Sequence, residues 1–131
     1  MKKIILGKNP TDTFKKKVSV PVLGADDAEI VFEFKRRTRT AYGKLADGHA
    51  AEVKQRGDAM RKEAADFRLE QFVGFSIESD AAFIVELATG WDLDDEFTLE
   101  NVTRLLDEYG GAAERIIAAY RLAINEGHRG N

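Results

Sequence analysis

Two short runs near the N-terminus constrain the fold more than any other feature of the chain. Residues 14–22 read Phe14-Lys15-Lys16-Lys17-Val18-Ser19-Val20-Pro21-Val22. In an extended chain Phe14, Lys16, Val18, Val20 and Val22 fall on one side, and Lys15, Lys17, Ser19 and Pro21 on the other. Residues 28–36 repeat the pattern, with Ile30, Phe32 and Phe34 on one side and Glu29, Val31, Glu33 and Lys35 on the other. Leu23-Gly24-Ala25-Asp26-Asp27 between them is rich in turn-forming residues. The spacing predicts an antiparallel hairpin with one apolar face and a longer loop. Pro21 has no amide hydrogen to donate, which puts its strand at a sheet edge or ends it there. Lys3–Leu6 is the candidate for a third strand. Two strands alone are marginal in water, so the apolar face must be covered by the rest of the chain.

From Arg39 onward the chain reads as helix. Between Arg39 and Phe72, the residues Tyr42, Leu45, His49, Val53, Met60, Ala64 and Phe67 recur at spacings of three, four or seven. They form a thin apolar stripe on a strongly polar helix. Gly43, Gly48 and Gly57 each cost about 1 kcal/mol relative to alanine in a helix interior. A weak or broken helix is therefore expected, ordered by packing or by binding. Phe72-Val73-Gly74-Phe75 reads as an apolar connector. Ser79 reads as the N-cap of a helix from Asp80 to Thr89, ended by Gly90. After the loop Trp91–Phe97, Thr98 caps a helix over Leu99–Tyr109 whose apolar face is Leu99, Val102, Leu105 and Leu106. Gly110-Gly111 breaks it. The last helix, from Ala112 to Asn125, buries Ile116, Ile117, Ala119, Tyr120, Ala123 and Ile124, with Gly127 as its C-cap. The expected fold class is α+β. A hairpin unit (residues 1–38) packs against a cluster of three to four helices (residues 39–131) in a single domain, a size that 131 residues fit.

Composition removes several kinds of chemistry. There is no cysteine, hence no disulfide, thiolate metal site or cysteine nucleophile. His49 and His128 are the only histidines, too few for a histidine-built zinc site within one chain. His49 reads as a rim residue of its helix rather than a general base. The spacing Asp92-x-Asp94-x-Glu96 resembles the start of a calcium loop, but Phe97 stands where the turn glycine belongs and Thr103 where the bidentate glutamate belongs. Asp92, Asp94, Asp95 and Glu96 therefore read as a solvated acidic loop. Neither a phosphate-binding glycine loop nor a nucleophile elbow occurs. No catalytic residue, cofactor or metal is expected. No apolar run approaches the roughly 18 residues that span a bilayer. Ile4-Ile5-Leu6 is too short for a signal peptide, and the cytoplasm is the default compartment.

Charge is split along the chain. Residues 1–68 sum to +6 and residues 69–131 to −9, within a net charge of −3. Attraction between the halves is the simpler explanation. A nucleic-acid partner would need a clearer basic excess. Lys35-Arg36-Arg37-Thr38-Arg39 is the best nucleic-acid candidate, set against the reading of a charged strand edge that discourages aggregation. It lacks a neighbouring aromatic platform. Trp91 is the only tryptophan. It reads as an anchor of its loop over the helical core, with part of its face joining Leu93 and Phe97 in an apolar binding patch.

Three segments together resemble the tail assembly chaperone family of long-tailed phages and their prophages. They are the hairpin runs Phe14–Val22 and Val31–Thr38; Gly90-Trp91-Asp92-Leu93-Asp94 leading into Phe97-Thr98-Leu99-Glu100-Asn101 and Leu105-Leu106; and Tyr109-Gly110-Gly111-Ala112-Ala113 with Ala118-Ala119-Tyr120 and the ending Arg129-Gly130-Asn131. The Trp-Asp loop running into a Phe-Thr helix start is the most specific of them. Gly110 departs from the pattern, standing where proline is expected, though glycine also breaks a helix. The resemblance implies a non-catalytic cytoplasmic factor of the bacterial host that binds the tape measure protein, helps recruit tail tube protein around it, and is absent from the finished virion. It also implies that a frameshift-extended form of the same chain can be a partner. Self-association is compatible with an open hairpin edge and a helical stripe; a membrane or nucleic-acid partner is not implied. The expected contact surface is Trp91, Leu93 and Phe97 with the exposed sides of Tyr42, Leu45 and Val53. A small structural tail protein retained in the virion, or a regulator binding nucleic acid through residues 35–39, are the alternatives.

Overall fold

The computed structural model describes residues 3–7, 11–63 and 68–127. Its elements run β1 (Thr13–Val22), β2 (Ala25–Lys35), α1 (Arg39–Glu63), α2 (Leu69–Leu87), β3 (Ala88–Trp91), α3 (Leu99–Glu108) and α4 (Ala112–Glu126). The fold is α+β, as the alternation and the helical periodicities predict.

β1 and β2 form the expected hairpin, with Phe14 opposite Phe34, Lys16 opposite Phe32 and Val18 opposite Ile30. The turn is tighter than expected. Val22 already pairs with Ala25, leaving Leu23-Gly24 as the connection, and Gly24 takes a φ of 74°, which glycine adopts without strain. The register shifts at Pro21: Val20 pairs with Ala28 and Val22 with Ala25, so β2 carries the extra residue opposite the proline, whose own strand β1 lies at the sheet edge. Val18, Val20, Ile30, Phe32 and Phe34 are buried on one face, with Phe14 packed beside them. At roughly 2 kcal/mol per fully buried apolar side chain, this face is a leading contributor to stability.

The third strand is not Lys3–Leu6. In that stretch only Ile5 makes an isolated bridge. The sheet order is β1-β2-β3, and its third member is Ala88–Trp91, antiparallel to β2. The sequence of the helical half thus completes the sheet. The helix expected to reach Thr89 stops at Leu87, because Ala88 turns to an extended conformation with φ −129° and ψ 161°. The Thr89 hydroxyl then donates to the Glu33 carbonyl at 3.3 Å. Beyond β3, the Asp92 amide donates to the Val31 carbonyl at 3.0 Å and the Asp92 Oδ1 accepts from the Val31 amide at 2.8 Å. Asp92, read from sequence as solvated, spends its carboxylate on closing the β2 edge.

The helical part also departs from expectation at α2. It starts at Leu69, so Phe72–Phe75 is helix rather than connector and Ser79 lies in the helix interior. α1 runs antiparallel beside α2 and supplies the cover that makes this possible. The Arg56 guanidinium sits 4.4 Å from the Phe75 ring centroid, and the His49 ring stacks on Phe83 at 4.3 Å. α1 is unbroken through Gly43, Gly48 and Gly57; packing offsets their local cost. Two members of its expected stripe, Ala64 and Phe67, lie outside the described residues.

α3 and α4 agree with the sequence reading except at Leu99, which was expected on the apolar face of α3 and is 52% exposed in its first turn. The Thr98 hydroxyl accepts from the Asn101 amide at 3.1 Å as the N-cap of α3. Gly127, with a φ of 65°, closes α4. α4 lies on β1, α2 on β3, and α3 beside α2. Tyr120 stands where these layers meet. Its hydroxyl donates to the Lys35 carbonyl at 2.7 Å and accepts from Arg37 Nη1 at 3.2 Å. Its ring packs against Phe14, Phe34 and Tyr42. Burial holds the Tyr120 phenol above its ordinary pKa, and the Arg37 hydrogen bond opposes that rise.

Candidate partner-binding groove

An apolar concavity lies where the hairpin end of the sheet faces α3. It is an open groove of about 280 Å³, just below the roughly 300 Å³ at which small-molecule pockets begin. Val20, Val22 and Ile30 form its floor, Leu105 and Tyr109 its α3 wall, and Trp91 and Leu93 its end. Glu29, Asp95, Arg104 and Glu108 stand around it. Lys17 reaches Glu29 at 4.0 Å and Arg104 reaches Glu108 at 3.8 Å. The four groove residues sum to a net negative rim.

Trp91 is held in place at both ends. Its indole N–H donates to the Asp95 carbonyl at 2.6 Å, and its ring meets Phe32 and Phe97 edge-on at 5.9 and 5.1 Å. It therefore anchors the 92–96 loop and also presents a face to the groove. Leu93 joins it there. Phe97 does not; it packs edge-on behind, 6.5 Å from Phe32, as part of the support. Tyr42 is 7% exposed and belongs to the core, so it offers no exposed side, because its ring packs inward against Tyr120, tilted by 50°. Burial also raises the Tyr42 pKa, with Arg121 opposing. Leu45 is half-buried in a separate hollow of about 300 Å³ between α1 and α2, and Val53 is half-buried further along α1. The structure brings Trp91 and Leu93 together and leaves Leu45 and Val53 elsewhere. Val20, Val22, Leu105 and Tyr109 were missing from the sequence-derived surface.

The α1–α2 hollow brings Ser79, His49 and Asp80 near one another, the three residue types of a hydrolytic triad. Their geometry does not make one. His49 Nε2 lies 3.3 Å from Asp80 Oδ1, while the Ser79 hydroxyl is buried with no hydrogen-bond partner, so no base contacts the hydroxyl. Burial raises the Asp80 pKa, and His49, by charge and hydrogen bond, pulls it back.

The basic run is tied into the fold. Arg36 Nε donates to the Thr11 carbonyl at 2.8 Å, Arg37 Nη2 to the Glu86 carbonyl at 2.7 Å, and Arg39 Nε to Asn125 Oδ1 at 3.4 Å. Arg36 ties the end of β2 to the residues before β1, Arg37 ties the β2–α1 link to α2, and Arg39 ties the start of α1 to α4, which favours the structural reading of the segment over nucleic-acid contact. Between the two halves of the chain His49 hydrogen-bonds Asp80, and Asp27 pairs with Arg115 at 3.5 Å, an attraction opposite in sign to the overall split. Among the described residues no group of acidic or histidine side chains is arranged to hold a metal ion, and no helix is long and apolar enough to cross a membrane.

The comparison that decides the family is a match to the family model for phage tail assembly chaperones, which spans residues 1–131. The chain belongs to the phage tail assembly chaperone family. No curated protein and no solved structure matches it. Membership implies protein partners in tail assembly.

Proposed function

We propose that the chain acts without catalysis in the cytoplasm of the host, holding helical segments of the tape measure protein in the groove beside α3 and helping tail tube subunits to gather around them. The observation that carries this reading is the groove itself. It has apolar walls from three strands and a helix, a tryptophan fixed by a 2.6 Å hydrogen bond, and charges confined to the rim. A long helical guest exposes an apolar stripe until it is enclosed, and grooves of this kind take such a stripe by its anchor side chains. Weak contacts repeated by many copies along one guest add avidity without tight single sites. Trp91 and Leu93 are the central contacts, with Phe97 behind them; Leu45 and Val53, on α1 away from the groove, would be a separate point of contact. A frameshift-extended form of the chain would carry the same groove.

The test is co-expression with the tape measure protein of the same phage. The guest should stay soluble and co-purify with the native chain, and should be lost with Tyr109→Glu, a change at a residue 38% exposed. Failure of the native chain to keep the guest soluble, or equal rescue by the variant, would overturn the proposal. Mass spectrometry of purified particles should find the protein absent; its retention would favour a structural tail role.

A further inference from the structure

The first two turns of α1 belong to the main core and the rest of the helix does not. Tyr42, Leu45 and Ala46 pack into the main apolar cluster, and among the described residues no apolar side chain of α1 beyond Ala46 joins it. That later part nevertheless covers buried residues of α2. Phe75, 5% exposed, lies outside the main cluster, with the Arg56 guanidinium 4.4 Å from its ring centroid. The His49 ring stacks on the buried Phe83 at 4.3 Å and hydrogen-bonds Asp80 at 3.3 Å. The buried Ser79 lines the same hollow as Gly48 and Glu52. The cover is held by little else. Gly48 and Gly57 lower its helix propensity. Its ion pairs, Glu52–Arg56 at 3.7 Å and Asp58–Arg61 at 3.3 Å, are exposed and tie α1 only to itself. A helix of this length is marginal in water without its packing. Leu69 and Val73, on the first turns of α2, are exposed, and the helical period sets them next to the covered side.

We infer that α1 beyond Ala46 is a lid. It opens by local unfolding while the sheet, α2 and α4 stay folded. In opening it bares Phe75, Ser79 and Phe83 beside Leu69 and Val73 as one largely apolar face of α2. Local opening draws on segments with few buried apolar contacts, and in α1 the boundary falls after Ala46, where contact with the main core ends. The closed lid keeps this face from water and from chance association. The open fraction sets how much of it is offered to a partner. The α3 groove is built from other residues, so the inference is independent of what binds there.

The chain has no cysteine, so Ser79→Cys places a single thiol beneath the lid, and its rate of labelling by a disulfide reagent reads the opening. Below the unfolding transition that rate should rise with urea much less steeply than global unfolding does, because only a small part of the chain is exposed. A methyl added at Gly48 or at Gly43 meets nothing within 4 Å, so alanine at either acts through helix propensity alone. In the Ser79→Cys chain, Gly48→Ala, within the lid, should slow labelling by about fivefold. Gly43→Ala, in the part of α1 anchored to the core, should raise the global urea midpoint and leave labelling unchanged. His49→Ala, which removes the stack on Phe83 and the bond to Asp80, should speed labelling by about tenfold. Hydrogen exchange on the native chain needs no substitution: amides of residues 51–63 should exchange at least about 100-fold faster than those of β2 at Phe32 and Phe34. Labelling that follows urea as steeply as global unfolding, equal slowing by Gly43→Ala and Gly48→Ala, or α1 amides as protected as those of β2 would overturn the inference.

Discussion

Replacing Ser79 by alanine separates two physical accounts of α2 by the sign of the effect. The sequence Ser79-Asp80 ahead of an apolar stretch imitates a helix start. If it were one, Ser79→Ala would remove a cap and cost about 0.5–2 kcal/mol. In the structure α2 begins at Leu69, and Ser79 is an interior residue, 6% exposed, whose hydroxyl has no hydrogen-bond partner. A buried, unpaired hydroxyl carries a desolvation penalty of about 1–3 kcal/mol, and alanine is the better helix former by up to about 0.5 kcal/mol. The two side chains differ by a single heavy atom, so the substitution leaves almost no cavity. We expect Ser79→Ala to stabilise the protein by about 1–2 kcal/mol. In urea denaturation the midpoint should rise with no change in slope, and the melting temperature should rise by about 3–5 °C per kcal/mol for a chain of this size. An unchanged or lower midpoint would refute the reasoning and return Ser79 to a capping or otherwise hydrogen-bonded role.

Tyr120→Phe deletes a hydroxyl that donates to the Lys35 carbonyl and accepts from Arg37, leaving both partners behind. We expect a loss of about 1–3 kcal/mol in urea unfolding, with the ring contacts preserved. The pH dependence of stability should carry a signature of Asp80, whose pKa is raised chiefly by burial, with His49 opposing. The fold favours the protonated carboxyl. Its contribution is therefore fully present below the ordinary aspartate value of 3.8 and is lost as pH rises through the raised folded value. Asp80→Asn should flatten that decline in urea midpoints measured across the acid range; an unchanged profile would assign the decline to other groups.

Alternation made the hairpin legible down to its edge position, because a period of two and a proline leave few arrangements open. β3 was not legible. Ala-Thr-Gly-Trp is too short to show a period, and its pairing is decided by the free edge of β2, more than fifty residues earlier. α2 was misread at its start because Ser79-Asp80 carries a local cap signal, while the cover over Phe75 and Phe83 comes from Arg56 and His49 on another helix. Three glycines made α1 look breakable, a local cost that its packing on α2 and α4 overrides. In the groove, Trp91 and Leu93 were visible as an apolar patch in an acidic loop. Val20, Val22, Leu105 and Tyr109 were not, because they come from elements whose juxtaposition no spacing records. Tyr42 shows the converse: a stripe residue on a polar helix looks exposed until a partner such as Tyr120 is placed beneath it.

Trp91 is the sole tryptophan and ends the groove, so its fluorescence reads the proposed contact directly. Titrating the native protein with an amphipathic helical peptide from the tape measure protein should shift Trp91 emission saturably, and Tyr109→Glu should weaken the apparent affinity by at least about tenfold. A peptide that binds without changing Trp91 emission, or binds the variant as tightly as the native chain, would place the guest elsewhere and contradict the account.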